Sequence, residues 1–230
     1  LIYGRKTAIS KLDPPGISDA MDAFIDAKNV LEEHRYTQMN INHFSNGRDK
    51  FLYSTYFNNL KPVLGLGAGA MGFMASCFLK HKLSARKYIM DRKTTIYCLP
   101  EPIIPLLWCV SQVQYGRIDV REVRDRWGFN PLRAFQKTFT ECKERGEISV
   151  EDDLIEFTAK GLFWADTTGA QMASEYLYGS RARLISLEDP PSRIMKNMLL
   201  NVIKAKIQGR EKLKVDGRHL EVLYGGDEER

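Results

Sequence analysis

The chain has 230 residues, 43% hydrophobic and 27% charged, a balance that excludes intrinsic disorder and supplies the core of one domain or two small ones. Its 34 basic and 29 acidic side chains leave a net charge of +5, which does not by itself identify a nucleic-acid binder, since that role needs the charge gathered on one face. The longest apolar run, Ile103 to Val113, holds Pro105, Ser111 and Gln112 and falls short of the roughly 18–20 residues that cross a bilayer.

The chain opens on Leu1, and Leu1 to Lys11 lacks the apolar stretch of a signal peptide. The expectation is a soluble, cytoplasmic protein that forms the later part of a longer one. Leu12 to Gly16 is a turn by its proline and glycine content. A helix follows, with Ser18 as N-cap, Asp19 and Asp22 at its positive end, and Met21, Phe24, Ala27, Lys28 and Leu31 on one face. Tyr36 to Ile41 alternates and reads as a strand, and Asn46-Gly47 reads as a turn. Lys50 to Asn58, rich in aromatic side chains, reads as a short strand or a loop lid. Val63 to Gly72 is glycine-rich, and a helical stretch is expected from Phe73 to about Lys82. Pro100, Pro102 and Pro105 mark a domain boundary near residue 100.

Beyond that boundary the pattern changes. Ile103 to Tyr115 is a predicted helix, Asp119 to Trp127 a second one stopped by Gly128, and Pro131 to Arg145 a third ending at Gly146. Residues 147–150 and 154–157 form a predicted hairpin around Glu151-Asp152-Asp153, and Thr158 caps a last helix running toward Met172. Three helices followed by a two-stranded wing is the winged-helix arrangement. Its third helix offers Arg133, Lys137, Lys143 and Arg145 to a phosphate backbone, but Glu141, Glu144 and Glu147 interleave with them and the wing turn is acidic. No nucleic-acid partner is expected. The tail carries an amphipathic helix capped by Asp189, with Pro190 at its first position and a stripe of Ile194, Met198, Leu199, Val202 and Ile203. Leu220 to Tyr224 reads as a final short strand. The domains are therefore 1–100, 101–172 and 173–230.

Three readings attach to the glycine segment. Gly67-Ala-Gly-Ala-Met-Gly72 spells GxGxxG, with Asp91 about twenty residues on, as a nicotinamide-dependent oxidoreductase would need for pyrophosphate and ribose. The preceding strand is short, however, and no further βαβ unit follows. The plain reading is a close-packed turn, in which glycine is required sterically. Cys77, Cys98, Cys109 and Cys142 show no short metal spacing and read as four reduced, mostly buried thiols. His34, His43, His81 and His219 form no ligand pair, so no metal residues are assigned, and no catalytic residue is identified.

The third reading comes from resemblance. Tyr36, Asn42-His43-Phe44-Ser45, the aromatic loop, Gly65-Leu-Gly67-Ala-Gly-Ala70, Tyr88, and a winged helix ending in Phe157-Thr158-Ala159-Lys160-Gly161 follow one another in family order. From about residue 18 to about residue 172 the chain resembles the second half of the oxygen-independent coproporphyrinogen III oxidase family of radical S-adenosylmethionine proteins. The resemblance implies an α/β (α+β) fold: the C-terminal part of a (β/α) barrel followed by a winged-helix-like domain. It implies S-adenosylmethionine and a [4Fe–4S] cluster as cofactors, with the cluster held by a Cys-x-x-x-Cys-x-x-Cys loop that this sequence lacks. It implies a tetrapyrrole substrate, radical chemistry or methyl transfer, and a cluster-bearing N-terminal half as partner, without which no activity is expected. Carried over as cofactor- or substrate-binding positions are Phe44, Ser45, Gly65, Gly67, Ala70 and Met71, and His81 holds the position of a family asparagine. The competing class is a non-enzymatic winged-helix adaptor or nucleic-acid-binding protein.

Overall fold

The computed structural model describes residues 16–91 and 94–178, together with the strands at 213–215 and 218–220. In chain order these form α1 (Ile17–Glu33), β1 (Thr37–Asn40), β2 (His43–Ser45), α2 (Leu52–Asn58), β3 (Met71–Met74), β4 (Cys77–His81), α3 (Ala85–Asp91) and β5 (Thr94–Cys98). Then come α4 (Ile103–Val113), β6 (Arg117–Asp119), α5 (Val120–Trp127), α6 (Pro131–Ala134), α7 (Gln136–Glu144), β7 (Ile148–Glu151), β8 (Leu154–Phe157), α8 (Ala159–Phe163) and α9 (Ala165–Tyr178). A last antiparallel pair joins β9 (Leu213–Val215) to β10 (Arg218–Leu220). The expected tail helix near Pro190 lies outside the described residues. The fold is a mixture of helices and small antiparallel sheets, and none of the sheets described closes into a barrel. Among the described residues no helix is long and apolar enough to cross a membrane.

Up to residue 178 the described chain falls into two compact units, 16–50 with 113–178, and 51–112. The first is organised by its caps. Asp119 accepts from the amides of Arg121 at 2.9 Å and Glu122 at 3.0 Å and so starts α5, and Gly128 ends it at φ +63°, where a side chain is disfavoured. Asn130 and Pro131 start α6. The expected helix from Pro131 to Arg145 is broken at Phe135, so that α7 begins without a cap of its own. Glu175 of α9 supplies it, accepting from Lys137 N and Thr138 N at 2.9 Å and from Thr138 Oγ1 at 2.7 Å. Thr158 caps α8 by accepting from Gly161 N. The hairpin β7–β8 gains a third strand, β6, that was not expected; Ile118 of β6 opposes Ile155 of β8. Ile118 and Ile155 sit fully buried with Val120, Val123, Phe135 and Met172.

The same unit holds α1 and the β1–β2 hairpin. Gly16 rather than Ser18 is the N-cap of α1. Met21, Phe24, Lys28 and Leu31 are half-buried, and the Phe24 ring lies 5.8 Å from that of Phe163. A bulge at Met39 breaks the expected alternation in β1. Burial raises the Asp166 carboxyl above its usual range, and a hydrogen bond from Gln114 Nε2 at 3.3 Å offsets only part of this. The folded chain thus holds that proton at pH values where the unfolded chain has released it. Stability falls as pH rises from the usual carboxylate value through the raised one. Asp166→Asn, which keeps an oxygen for Gln114, is expected to stabilise the fold at pH 7 by about 1 kcal/mol, an ordinary single-site effect, and to flatten that slope. Urea titrations at pH 4 and pH 7 measure both, and an unchanged midpoint at pH 7 would contradict the assignment.

The second unit overturns three expectations. Lys50 to Asn58 is neither strand nor lid but α2, entered through Phe51 at φ +47°. Phe57 of α2 packs against Phe78, and Phe78 against Phe73, which makes the covered face of a sheet. Phe73 to Lys82 is not a helix but the hairpin β3–β4, in which Met74 opposes Cys77. Its two-residue turn, Ala75-Ser76, has both residues at positive φ, +48° and +63°, as the strand twist demands. Cys77 and Cys98 face each other across β4–β5 and are joined as a disulfide, so the reading of four reduced thiols is corrected. Helix α4 is buried on nearly every side: Leu106 and Trp108 are 2% exposed and Cys109 is fully buried.

Candidate functional site: the glycine turn

The segment 63–70 folds as an edge of the β3–β4–β5 sheet. Val63 and Phe73 exchange two backbone hydrogen bonds of 2.8 Å, which draws 63–65 along β3. A side chain at Gly65 would overlap the Met71 carbonyl, and one at Gly72 would lie 2.6 Å from Val63 O. These two glycines are required because two backbones meet there, with Met71 taking the space beside Gly65. Gly69 N donates to Lys82 O at 2.8 Å and His81 N to Ala70 O at 3.0 Å, so Ala70 extends the hairpin. Gly67, at φ +104°, differs from the others: nothing lies within 4 Å of the place a Cβ would take. Leu66 beside it is 79% exposed.

This arrangement overturns the dinucleotide reading. Pyrophosphate binding needs the glycines to open a helix whose amides converge, and here they run into β3 while Asp91 closes the short helix α3.

His81 holds the turn. Its Nε2 lies 2.9 Å from Gly65 O and its Nδ1 2.9 Å from Thr94 Oγ1. A carbonyl only accepts, so Nε2 carries a proton. Gly67 N donates to the Tyr88 hydroxyl at 3.4 Å, and the Tyr88 ring stands edge-on to His81 with centroids 5.1 Å apart. One imidazole therefore links the turn to β5, and one phenol supports Gly67. Sequence reasoning quoted both residues but gave neither this role, since the link spans 16 residues on one side and 13 on the other.

Phe44 and Ser45 belong to the first unit, Gly65, Gly67, Ala70 and Met71 to the second. Phe44 opposes Gln38 across β1–β2 and is half-buried. The amide nitrogen of Gln38 is buried without a hydrogen-bond partner, a donor left over beside Phe44. Ser45 closes its own loop, donating to Asp49 O at 2.7 Å and accepting from Gly47 N at 3.1 Å.

The cysteines do not fit a [4Fe–4S] cluster. Two are joined to each other. Burial pushes the Cys109 thiol far up and the Cys142 thiol up to about 11, the opposite of the thiolates that ligate iron. No step is routed through a cluster on this chain. Gly67 leaves an open stretch of backbone in the second unit, and Gln38 a spare donor in the first. Lys137 on α7 and Arg145 just past its end pair with Glu141 and Glu147 of their own chain.

Comparison with known proteins finds no matching family model and no matching curated sequence. Among solved structures the fold is similar to coproporphyrinogen III oxidase (HemN) from Escherichia coli, described as a radical SAM enzyme, with a TM-score of 0.54 and 16% identity. The likeness covers 69% of this chain and 42% of that one, so the chain spans less than half the length of HemN. At that identity the likeness is one of fold.

Proposed function

We infer that this chain is the C-terminal portion of a radical S-adenosylmethionine enzyme of the coproporphyrinogen-oxidase type, acting on a tetrapyrrole. The fold likeness to HemN is the observation that carries the reading. In it, residues 1–100 are the end of the barrel, residues 101–172 the winged-helix-like domain, and a separate cluster-bearing half generates the radical. This chain's own residues bind and orient. In the second unit, Gly67, held in place by Tyr88 and His81, leaves backbone open to a ligand. In the first unit, taken by itself, Phe44 offers the tetrapyrrole a ring face and Gln38, opposite it, a spare N–H for an acceptor such as a propionate oxygen. The reaction assigned is oxidative decarboxylation of the tetrapyrrole, or methyl transfer to it.

Coproporphyrin III is the probe. Titrated into the full chain under reducing conditions, it is expected to shift its Soret band saturably. Gln38→Leu separates function from folding. It removes an unsatisfied buried donor, whose desolvation costs about 1–3 kcal/mol, so it should raise the unfolding midpoint while weakening porphyrin binding. Phe44→Ala should weaken binding too. NADH should not bind. Absence of saturable porphyrin binding would overturn the reading.

A further inference from the structure

Three sulfur-bearing residues stand in one row across the sheet of the second unit. Met74 opposes Cys77 across the β3–β4 turn, and Cys77 opposes Cys98 across β4–β5. Directly opposed residues of an antiparallel sheet share a face, with Cβ atoms about 4.5–5.5 Å apart. The flanking pair Ser76–Leu99 carries the backbone bond, Leu99 N to Ser76 O at 2.9 Å, so Cys77 and Cys98 are a non-hydrogen-bonded pair, the kind whose side chains stand closest. The next positions on this face are Gly72, Leu79 and Ile96, which carry neither charge nor competing donor. Met74 is 46% exposed and both cysteines are half-buried, so a solute reaches the row from solvent.

We propose that the reduced Cys77–Cys98 pair and the Met74 thioether form a three-sulfur site for a soft monovalent cation of the copper(I) or silver(I) class. Thiolate and thioether donors select soft ions. A structural zinc ion takes four donors in a tetrahedron and finds three sulfurs here. The disulfide closes the site and a dithiol opens it. The dithiol passes two hydrogens to the pair, breaking the Cys77–Cys98 bond and leaving as a cyclic disulfide. The cation then displaces both thiol protons to solvent, giving a bis-thiolate of net charge one negative, and the Met74 sulfur completes a trigonal set. This site is independent of the chemistry inferred for the glycine turn.

Copper(I) held by the coloured chelator bicinchoninate is the test reagent, with full-length chain reduced by a dithiol and desalted without oxygen. The reduced chain is expected to withdraw one equivalent and bleach the chelator, and the oxidised chain none. Cys98→Ser should abolish uptake. Met74→Leu, nearly isosteric, should weaken it by at least the roughly tenfold that loss of an outer-shell partner costs. Where Cys98→Ser fails to fold, the oxidised–reduced comparison and Met74→Leu decide. No uptake by the reduced chain, equal uptake by the oxidised chain, or undiminished affinity in Met74→Leu would overturn the proposal.

Discussion

Arg145→Met is expected to destabilise the fold by about 2 kcal/mol, between the loss from a surface pair and that from a fully buried one, because Glu147 is buried while the Arg145 side chain is 37% exposed. Glu147 is only 3% exposed. Arg145 holds both of its oxygens, Nε to Oε1 and Nη2 to Oε2, each at 2.8 Å. Methionine retains the aliphatic stem and removes the charge, stranding a carboxylate next to the buried Cys142. The double variant Arg145→Met/Glu147→Leu should recover most of the loss, because the cost lies in the orphaned charge rather than in the missing attraction. Urea unfolding of the two variants decides. A single-variant loss below about 1 kcal/mol, the value of a surface pair, would mean that water reaches Glu147.

The second large effect is one of sign. Gly161→Ala lies inside α8, where propensity alone favours alanine by about 1 kcal/mol. Here a Cβ would overlap the carbonyl oxygen of Glu147. That carbonyl is fixed, since it accepts from Thr158 N at 3.0 Å and Thr158 Oγ1 at 3.2 Å. The substitution is expected to cost about 3 kcal/mol, the upper end for overpacking, through displacement of α8 from the end of β7. A stabilised Gly161→Ala in thermal unfolding would show that the contact is not tight.

What was legible in the sequence follows from where the signals reside. The stretch 103–163 could be read because its boundaries are local: Asp119, Asn130 and Thr158 cap, Gly128 and Gly146 turn at positive φ. The break at Phe135 could not, because its compensating cap, Glu175, comes from α9. The β3–β4 hairpin was hidden for a different reason. Its strands, Met-Gly-Phe-Met and Cys-Phe-Leu-Lys-His, carry apolar residues at helical as well as strand spacing, and Ala75-Ser76 lacks the asparagine or glycine that announces such a turn. Once the hairpin was missed, the facing of Cys77 and Cys98 could not be seen, since that register follows from strand pairing alone. At the candidate site, the glycine segment was conspicuous but its chemistry was not. Gly65 and Gly72 serve a contact within the chain, and only Gly67 has open space beside it. The buried donor of Gln38 leaves no trace in a pattern of residue types.

The cap that Glu175 places on α7 sets an order of events during synthesis. Glu175 follows Lys137 by 38 residues, so the first turn of α7 leaves the ribosome well before the carboxylate that satisfies its amides. A nine-residue helix is too short to persist alone in water. The nascent chain therefore cannot complete α7 by itself, and the last turns of α9 must emerge before the hydrogen bonding of this helix closes. A chain cut short ahead of residue 175 would leave α7 unfinished, however complete its own sequence.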